Sequence, residues 1–513
     1  MAKRKTIIRG GKIVNIAKHR ADAADILIAG DTIVEIGKPG MAAPADAIVI
    51  DARRRLLHPG LINAHTHGHG NLAKGMGDRW TLELLLTAGP AISGNRTLDD
   101  KYLTTLIGAA EGLLKGCTAV YDLTVEFPMP SVDGLQACAQ AYADAGMRAV
   151  VAPMVADRTF FEAVPGLMER LTPGLQKDVE RLRLAPYKTS VKAIRKALKA
   201  WNYDHDLIRP AVAPTIPHHC SDDFIADCVR IARDFDVAMH SHVSESKLQV
   251  IAGYKRYGKS LTSHMDDMGA VGPNFTVAHG VWLDDDDMKR LGDKGASVAH
   301  NPGSNMRLGS GLADVIGMLR RKVNLGIGTD GANCSDNQNM YESMRLASMV
   351  SKVRGPDIAD WLTTDQILEA ATVGSAKALG FEGKLGQIEK GYKADIVFLD
   401  LDSINWIPFN DPVNQLVHTE DGTSVDAVMV GGKMVVENRK LVNVDLAKLA
   451  KQAETARARL EAINKPNRVL YDKLEKTVAS YCSGLCKEPL HIHRYGAPLG
   501  SHSHDHKHKH KHH

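Results

Sequence analysis

The chain has 513 residues, of which 44% are hydrophobic and 24% charged, and a formal net charge of +4. This suits a large globular enzyme of roughly two to four domains, and the absence of a basic block excludes nucleic acid as a partner. No run of about 18 apolar residues occurs, which excludes a membrane-spanning helix.

The amino-terminal "KRK" leads directly into "TIIRGGKIVNI", with no apolar core or small-residue cleavage site, so no secretory signal is expected. Residues 1–60 alternate apolar and polar in short runs broken by Gly and Asp ("ADILIAGDTIVEIG", "AIVIDARRRLLHPG"), the pattern of hairpins in a small sheet. From residue 61 to 382 the rhythm changes to short apolar strands separated by helical stretches. Eight strands are predicted: "GLINAHTH", "TAVYDL", "RAVVAPMV", "IRPAVAPT", "DVAMHSHV", "FTVAHGVWL", "ASVAHNPG" and "NLGIGTDG". Eight strand–helix units over this length predict an α/β fold of the (β/α)8 TIM-barrel type. Within it, "SDD" at 221–223 and "DDDD" at 284–287 read as helix starts. Residues 383–445 return to the grammar of the first sixty, so one small β-sandwich domain built from both chain ends is expected.

Residues 446–490 read as a helical extension beginning with the amphipathic "DLAKLAKQAETARARLEAINK", packed on the barrel or on a second subunit. Residues 491–513 form a histidine-rich, low-complexity end, expected to be a purification tag or a disordered tail and set aside from the site. Cys482 and Cys486 just upstream, with His491 and His493 at its start, have the residue types of a zinc site, a reading that is disfavoured. The seven cysteines are odd in number and scattered, which reads as reduced thiols in a cytoplasmic protein.

In a barrel of this kind the active site lies at the carboxyl ends of the strands. The polar residues fall there: His65 and His67, Thr215, His240 and His242, His279, His300 and Asp330. Residues two apart on a strand share a face, so His65 and His67 can grip one ion. His65, His67, His242 and Asp330 together could hold one divalent transition metal and leave a position open for water, with zinc favoured and iron or cobalt compatible. Glu245, three residues beyond His242, could carry the water's proton to a leaving group, and His279 could hydrogen-bond the water or polarise the substrate. Thr215, His218, His300 and Asn305 are the candidate substrate contacts. His240 is expected to pack beneath the site and His69 to lie in a loop at its mouth.

The ordered motifs "HPGLINAHTH", "HSHVSE", "TVAHGVWL", "AHNPGSNMRLGSG" and "GIGTDG" resemble the amidohydrolase superfamily, most closely the branch holding triazine hydrolases and adenosine or S-adenosylhomocysteine deaminases. The resemblance implies metal ligands at His65, His67, His242 and Asp330, and an acid–base pair at Glu245 and His279. It implies a mononuclear centre, since the fourth strand, "AVAPTIPHHCS", lacks the lysine of the two-metal relatives. Three departures stand out. Thr215 replaces a substrate-touching histidine frequent in the deaminases, Arg307 replaces a lysine, and Ser93 and Gly94 lie near where those enzymes present a ribose-binding glutamate. These point away from a nucleoside. The expected reaction is hydrolytic removal of ammonia or an amine from an aminated N-heterocycle. Hydrolysis of an acyclic amide, urea or (thio)carbamate stands as the alternative, and a non-catalytic scaffold is disfavoured because every ligand position is filled. The partners expected are a small-molecule substrate and further copies of the chain, as a homodimer or higher oligomer.

Overall fold

The computed structural model describes residues 5–496. The eight predicted barrel strands are all present: Leu61–Thr66, Cys117–Val125, Arg148–Val155, Ile208–Pro214, Ala238–Val243, Phe275–His279, Ser297–His300 and Asn324–Ile327. They form one parallel sheet in sequence order, each hydrogen-bonded to the next. Just beyond the last strand, Asp330 N–H donates to the carbonyl of His65 in the first strand at 2.9 Å. Gly328 permits that approach, because a Cβ placed there would stand 2.8–2.9 Å from the His65 backbone.

Small residues dominate the lumen: Ala119, Ala152, Ala211, Ala213 and Ala299 pack with Ile62, Ala64 and Tyr121. The first strand carries an irregularity, with Asn63 opposite Val120 but Thr66 opposite Asp122, so three steps on one strand match two on the other. A bulge of this kind re-aims side chains. Past it, the His65 ring lies in the lumen beside His240, which meets Tyr121 edge-on. Ser221 caps the helix Asp222–Phe235 and Asp284 caps Asp285–Asp293, each accepting from a backbone N–H of the first turn.

The chain-end strands form a second, nine-stranded sheet. Its hydrogen bonding is continuous, so the expected sandwich is a single sheet folded over one core of Ile8, Ile26, Ile33, Leu57, Ile396 and Phe398. The two ends of the chain meet where Arg55–Pro59 runs antiparallel to Ile396–Asp400.

The helix Leu446–Ile463 does find its partner within the chain. Leu449, Ala456 and Leu460 are buried, and Arg459 pairs with Asp100 on the helix Leu98–Leu114. Of the two packing sites expected for this helix, the barrel is the one the structure shows. A further helix, Lys465–Leu485, packs Tyr471, Leu474 and Val478 with Leu82, Leu85 and Ile92 of the helix Leu82–Ser93. Residues 491–496, grouped by composition with the tail, lie against the barrel instead: Arg494 donates to the carbonyls of Val281 and Leu283, and His491 pairs with Asp284 at 3.0 Å. The composition there misled because two aromatic and cationic anchors decide the packing. The remainder of the histidine-rich tail, 497–513, falls outside the described residues. Among the described residues no helix is long and apolar enough to cross a membrane.

His58 ties the chain-end sheet to the helix Met340–Lys352. Its Nδ1 donates to the Pro59 carbonyl at 2.7 Å and its Nε2 accepts from the Tyr341 hydroxyl at 2.7 Å. Burial lowers its pKa to about 4 from an ordinary 6.5. The unfolded chain therefore takes up a proton first as pH falls, and the stability His58 contributes is intact above about 6.5 and lost towards about 4. His58→Gln should flatten the loss of stability across that window relative to the unsubstituted protein, measured as denaturation midpoints at stepped pH.

Candidate metal centre and active site

Six titratable side chains, His65, His67, His242, Glu245, His279 and Asp330, converge at the carboxyl end of the barrel. His65, His67 and His242 place one ring nitrogen each within 4.8 Å of one another, as do the ligand atoms of His65, His279 and Asp330. Asp330 Oδ1 lies 3.5 Å from His65 Nε2 and 3.3 Å from His67 Nε2, so the two groups share one centre. All six are buried.

Backbone carbonyls fix two of the rings. His67 Nδ1 donates to the Leu123 carbonyl and His242 Nδ1 to the Thr215 carbonyl, both at 2.7 Å. In the neutral form of each ring the proton is thereby on Nδ1 and Nε2 carries a bare lone pair. These two Nε2 atoms stand 3.1 Å apart. Neither can donate to the other, and both ring nitrogens of His65 lack any protein partner. Burial keeps His65 neutral, with a pKa near 3, and lowers His242 well below its ordinary value. Converging lone pairs beside a carboxylate are what a divalent cation satisfies, and the donor set of imidazole and carboxylate suits a borderline transition ion. The residues present fit such a group.

Glu245 and His279 sit on the open side. His279 Nε2 is 3.6 Å from Glu245 Oε2 and 3.7 Å from Asp330 Oδ2. Its Nδ1 donates to Asn305 Oδ1 at 2.9 Å, which leaves Nε2 as an acceptor. Burial lowers the His279 pKa despite the nearby Asp330 carboxylate. Burial also pushes the Glu245 carboxyl well above its ordinary range, reinforced by Asp330 and Glu83. Burial alone would raise Asp330 too, but the surrounding His65, His279 and His67 rings more than offset it and hold that carboxyl well below its usual value.

The structure reassigns several expected substrate contacts. A cavity of about 220 Å³ opens onto the centre, bordered by His67, His242, Glu245, His279 and Asp330, and Thr215 lines it. Asn305 does not border it; the side chain positions His279. His218 and His300 are buried but do not border the cavity, and His219, next to His218, does. The helical turn at Pro217–His219 decides which of the adjacent histidines faces inward. His240 is fully buried beneath His65, and His69 lies on the cavity wall. Arg307 is spent on Asp336 at 2.9 Å. His491 bonds to Asp284 and Cys482 is buried with the helix Leu82–Ser93, and among the described residues no group placed to hold a metal includes Cys482, Cys486, His491 or His493. Among the described residues all seven cysteines are free thiols.

Two side chains at the site escaped the sequence reading. Gln249 accepts from the Glu245 backbone N–H at 3.0 Å and reaches the Glu245 carboxylate at 3.4 Å. Glu83, buried in "TLELLL", accepts from the Ser246 hydroxyl at 3.1 Å. Its signal was present, since a carboxylate inside an apolar helical stretch needs a partner.

A (β/α)8 barrel with imidazoles and carboxylates gathered at its strand ends defines the class of metal-dependent barrel hydrolases. The profile of the Amidohydrolase family matches residues 56–435, and the chain belongs to that family. It is an enzyme hydrolysing carbon–nitrogen bonds. It is 31% identical over 432 residues to a 5-methylthioadenosine/S-adenosylhomocysteine deaminase of Thermoanaerobacter pseudethanolicus, covering 84% of this chain and 93% of that protein. It is 32% identical over 448 residues to a 5'-deoxyadenosine deaminase of Methanosarcina mazei, covering 86% and 95%. Among solved structures, an adenosine deaminase of Xanthomonas campestris with bound zinc superposes with a TM-score of 0.79 at 26% identity, covering 90% of this chain and 99% of that one. An atrazine chlorohydrolase of Arthrobacter aurescens complexed with zinc gives 0.78 at 25%, covering 88% and 100%.

Asn305→Ala should leave the fold and metal content intact while freeing His279 to rotate. A loss of about 10- to 100-fold in kcat, with KM nearly unchanged, is expected from steady-state kinetics. Rescue by Asp at the same position would support the acceptor role, because Asp supplies the same oxygen.

Proposed function

We propose that the chain removes ammonia hydrolytically from an aminated N-heterocycle, using one divalent ion held by His65, His67, His242 and Asp330, with zinc as the native ion. The observation that carries this reading is the 3.1 Å approach of two Nε2 lone pairs whose rings are both locked by carbonyls. The zinc in the two solved relatives and the deaminase activity named for the sequence relatives support it. When bound, such an ion lowers the pKa of a coordinated water towards about 7, providing a nucleophile at neutral pH.

The rest of the chemistry falls to side chains. Glu245, whose buried carboxyl readily holds a proton, takes one from the attacking water and delivers it to the departing nitrogen. His279 presents Nε2 as a fixed acceptor beside Glu245 and orients the water's remaining O–H. Asp330, held ionised, is the anionic member of the set that would hold the ion. In the net reaction water adds to the amine-bearing carbon, the carbon–nitrogen bond breaks, and ammonia leaves with the ring keeping the oxygen.

Glu245→Gln should fold and retain its metal but lose roughly 10²–10⁴-fold in kcat, since an amide cannot accept the proton. Asp330→Asn should lower metal affinity as well as rate, a neutral amide being a poorer ligand. Metal stoichiometry beside turnover separates the two roles. It is best measured on protein ending at residue 496, where the histidine tail cannot contribute metal. One equivalent is expected; two, or full activity in the Gln variant, would overturn the assignment.

A further inference from the structure

Residues 488–495 follow the carboxyl-terminal helix and lie across the segments after the fifth, sixth and seventh barrel strands, the segments that carry Glu245, His279 and Asn305. None of them lines the cavity. After the fifth strand, Lys247 Nζ donates to the Glu488 carbonyl at 2.7 Å and Lys255 pairs with the Glu488 carboxylate at 2.8 Å. After the sixth, Arg494 donates to the carbonyls of Val281 and Leu283 at 3.2 and 2.8 Å. Tyr495 there meets Trp282 edge-on, with ring centres 4.9 Å apart. After the seventh, Leu312 N–H donates to the Arg494 carbonyl at 2.7 Å. A Cβ on Gly311 would stand 2.8 Å from that oxygen, so glycine admits the close approach.

Two cations commit to this contact. Lys247 is only 5% exposed, and its ammonium stands 6.0 Å from the Trp282 ring centre. The Arg494 side chain is 10% exposed and also pairs with Asp314 at 3.6 Å. A buried cation stripped of its acceptors is costly, so the segment is held in place. Beneath it the three segments are bonded to one another. Trp282 N–H donates to the Ser244 carbonyl at 2.8 Å and Gly280 N–H to the Val243 carbonyl at 3.2 Å, beside the turn that delivers Glu245. Trp282 Nε1 donates to the Ser310 carbonyl at 2.7 Å, and Ser310 N–H to the Asn305 carbonyl at 2.8 Å. Buried Trp282 is the hub of this arrangement, and residues 488–495 close over it from outside.

We infer that residues 488–495 are a strap that fixes the proton-handling side chains, with Arg494 and Lys247 as positioning residues. Docked, the strap holds Glu245, His279 and Asn305 at the spacing turnover needs. Released, it loosens them while His65, His67 and Asp330 stay, since those come from the first and eighth strands, which none of these bonds reaches. The carboxyl end thereby sets the rate separately from metal binding. The inference rests on the hydrolytic roles proposed for Glu245 and His279.

The test uses the full chain carrying Arg494→Gln or Lys247→Met. Ammonia release is measured on whichever of adenosine, adenine and melamine the unsubstituted protein turns over fastest. Each variant should lose about 10- to 100-fold in kcat per bound metal, with KM within about twofold and metal content unchanged, because a small displacement of a reacting group is that costly. Arg494→Lys, which still donates to a carbonyl, should recover part of the loss. A merely structural strap would lower the melting midpoint or the metal content and leave kcat per bound metal intact. A value within about twofold of the unsubstituted protein, in either variant that folds, overturns the inference. If none of the three compounds releases ammonia, the deaminase reading fails by itself, and hydrogen exchange then judges the strap. The amides of Gly280 and Trp282 should exchange at least about tenfold faster in Arg494→Gln, with those of Arg148–Val155 unchanged. Unchanged exchange at Gly280 and Trp282 rejects the strap.

Discussion

Two short hydrogen bonds from ring nitrogens to backbone carbonyls govern this molecule. By taking the Nδ1 protons of His67 and His242, the carbonyls of Leu123 and Thr215 decide which nitrogen of each ring is bare and where it points. The consequence is a pair of facing lone pairs at the floor of the cavity, a repulsive arrangement unless a cation lies near both. The carbonyls belong to the second and fourth strand regions, the rings to the first and fifth, so the site is correct only when the whole barrel is in register. The nearness of Asp330 to His65 across the barrel's closing seam adds the same requirement from the eighth strand.

The elements that present the chemistry share a backbone feature. Ser244, His279 and Asp330 all take left-handed conformations, with φ of 55°, 71° and 62°. None is glycine, and each such residue costs on the order of 1–3 kcal/mol. The turn at Ser244 carries the chain away from His242 and brings Glu245 back towards the centre. At His279 and Asp330 it swings a ring and a carboxylate inward as the strand ends. The surrounding hydrogen bonds hold them there: Asn305 on His279, and the Gly331 N–H on Asp330 Oδ1 at 2.7 Å.

The fold was legible because its signal is periodic. Short apolar strands alternating with helices, and polar residues falling at their carboxyl ends, follow from burial on both faces of a parallel sheet. Of the site, the spacing of His65 and His67 and the position of Asp330 after "GIGT" were legible for the same reason. What sequence could not yield were partners that have no side-chain identity, such as the carbonyls of Leu123 and Thr215. Nor could it yield choices made by local geometry. A turn of helix separates His219, on the cavity, from His218 beside it, and Asn305 looks like a substrate contact until its oxygen is found on His279. Glu83 is an intermediate case, conspicuous by type but without a partner until Ser246 is placed beside it.

The small sheet also sets an order of events during synthesis. Lys5–Asn15 and Arg20–Ala29 can pair as soon as they leave the ribosome, being adjacent in the chain. Arg55–Pro59 cannot be covered on its other edge until Ile396–Asp400 emerges, after the entire barrel has been translated. That edge leads directly into the first barrel strand, so an unpaired template stays open at the base of a half-made parallel sheet for most of translation. The nascent chain is therefore most exposed to strand-to-strand aggregation late in its synthesis. Slowing translation between residues 61 and 396 would lengthen that exposure, while the completed chain closes it with its own distant segment.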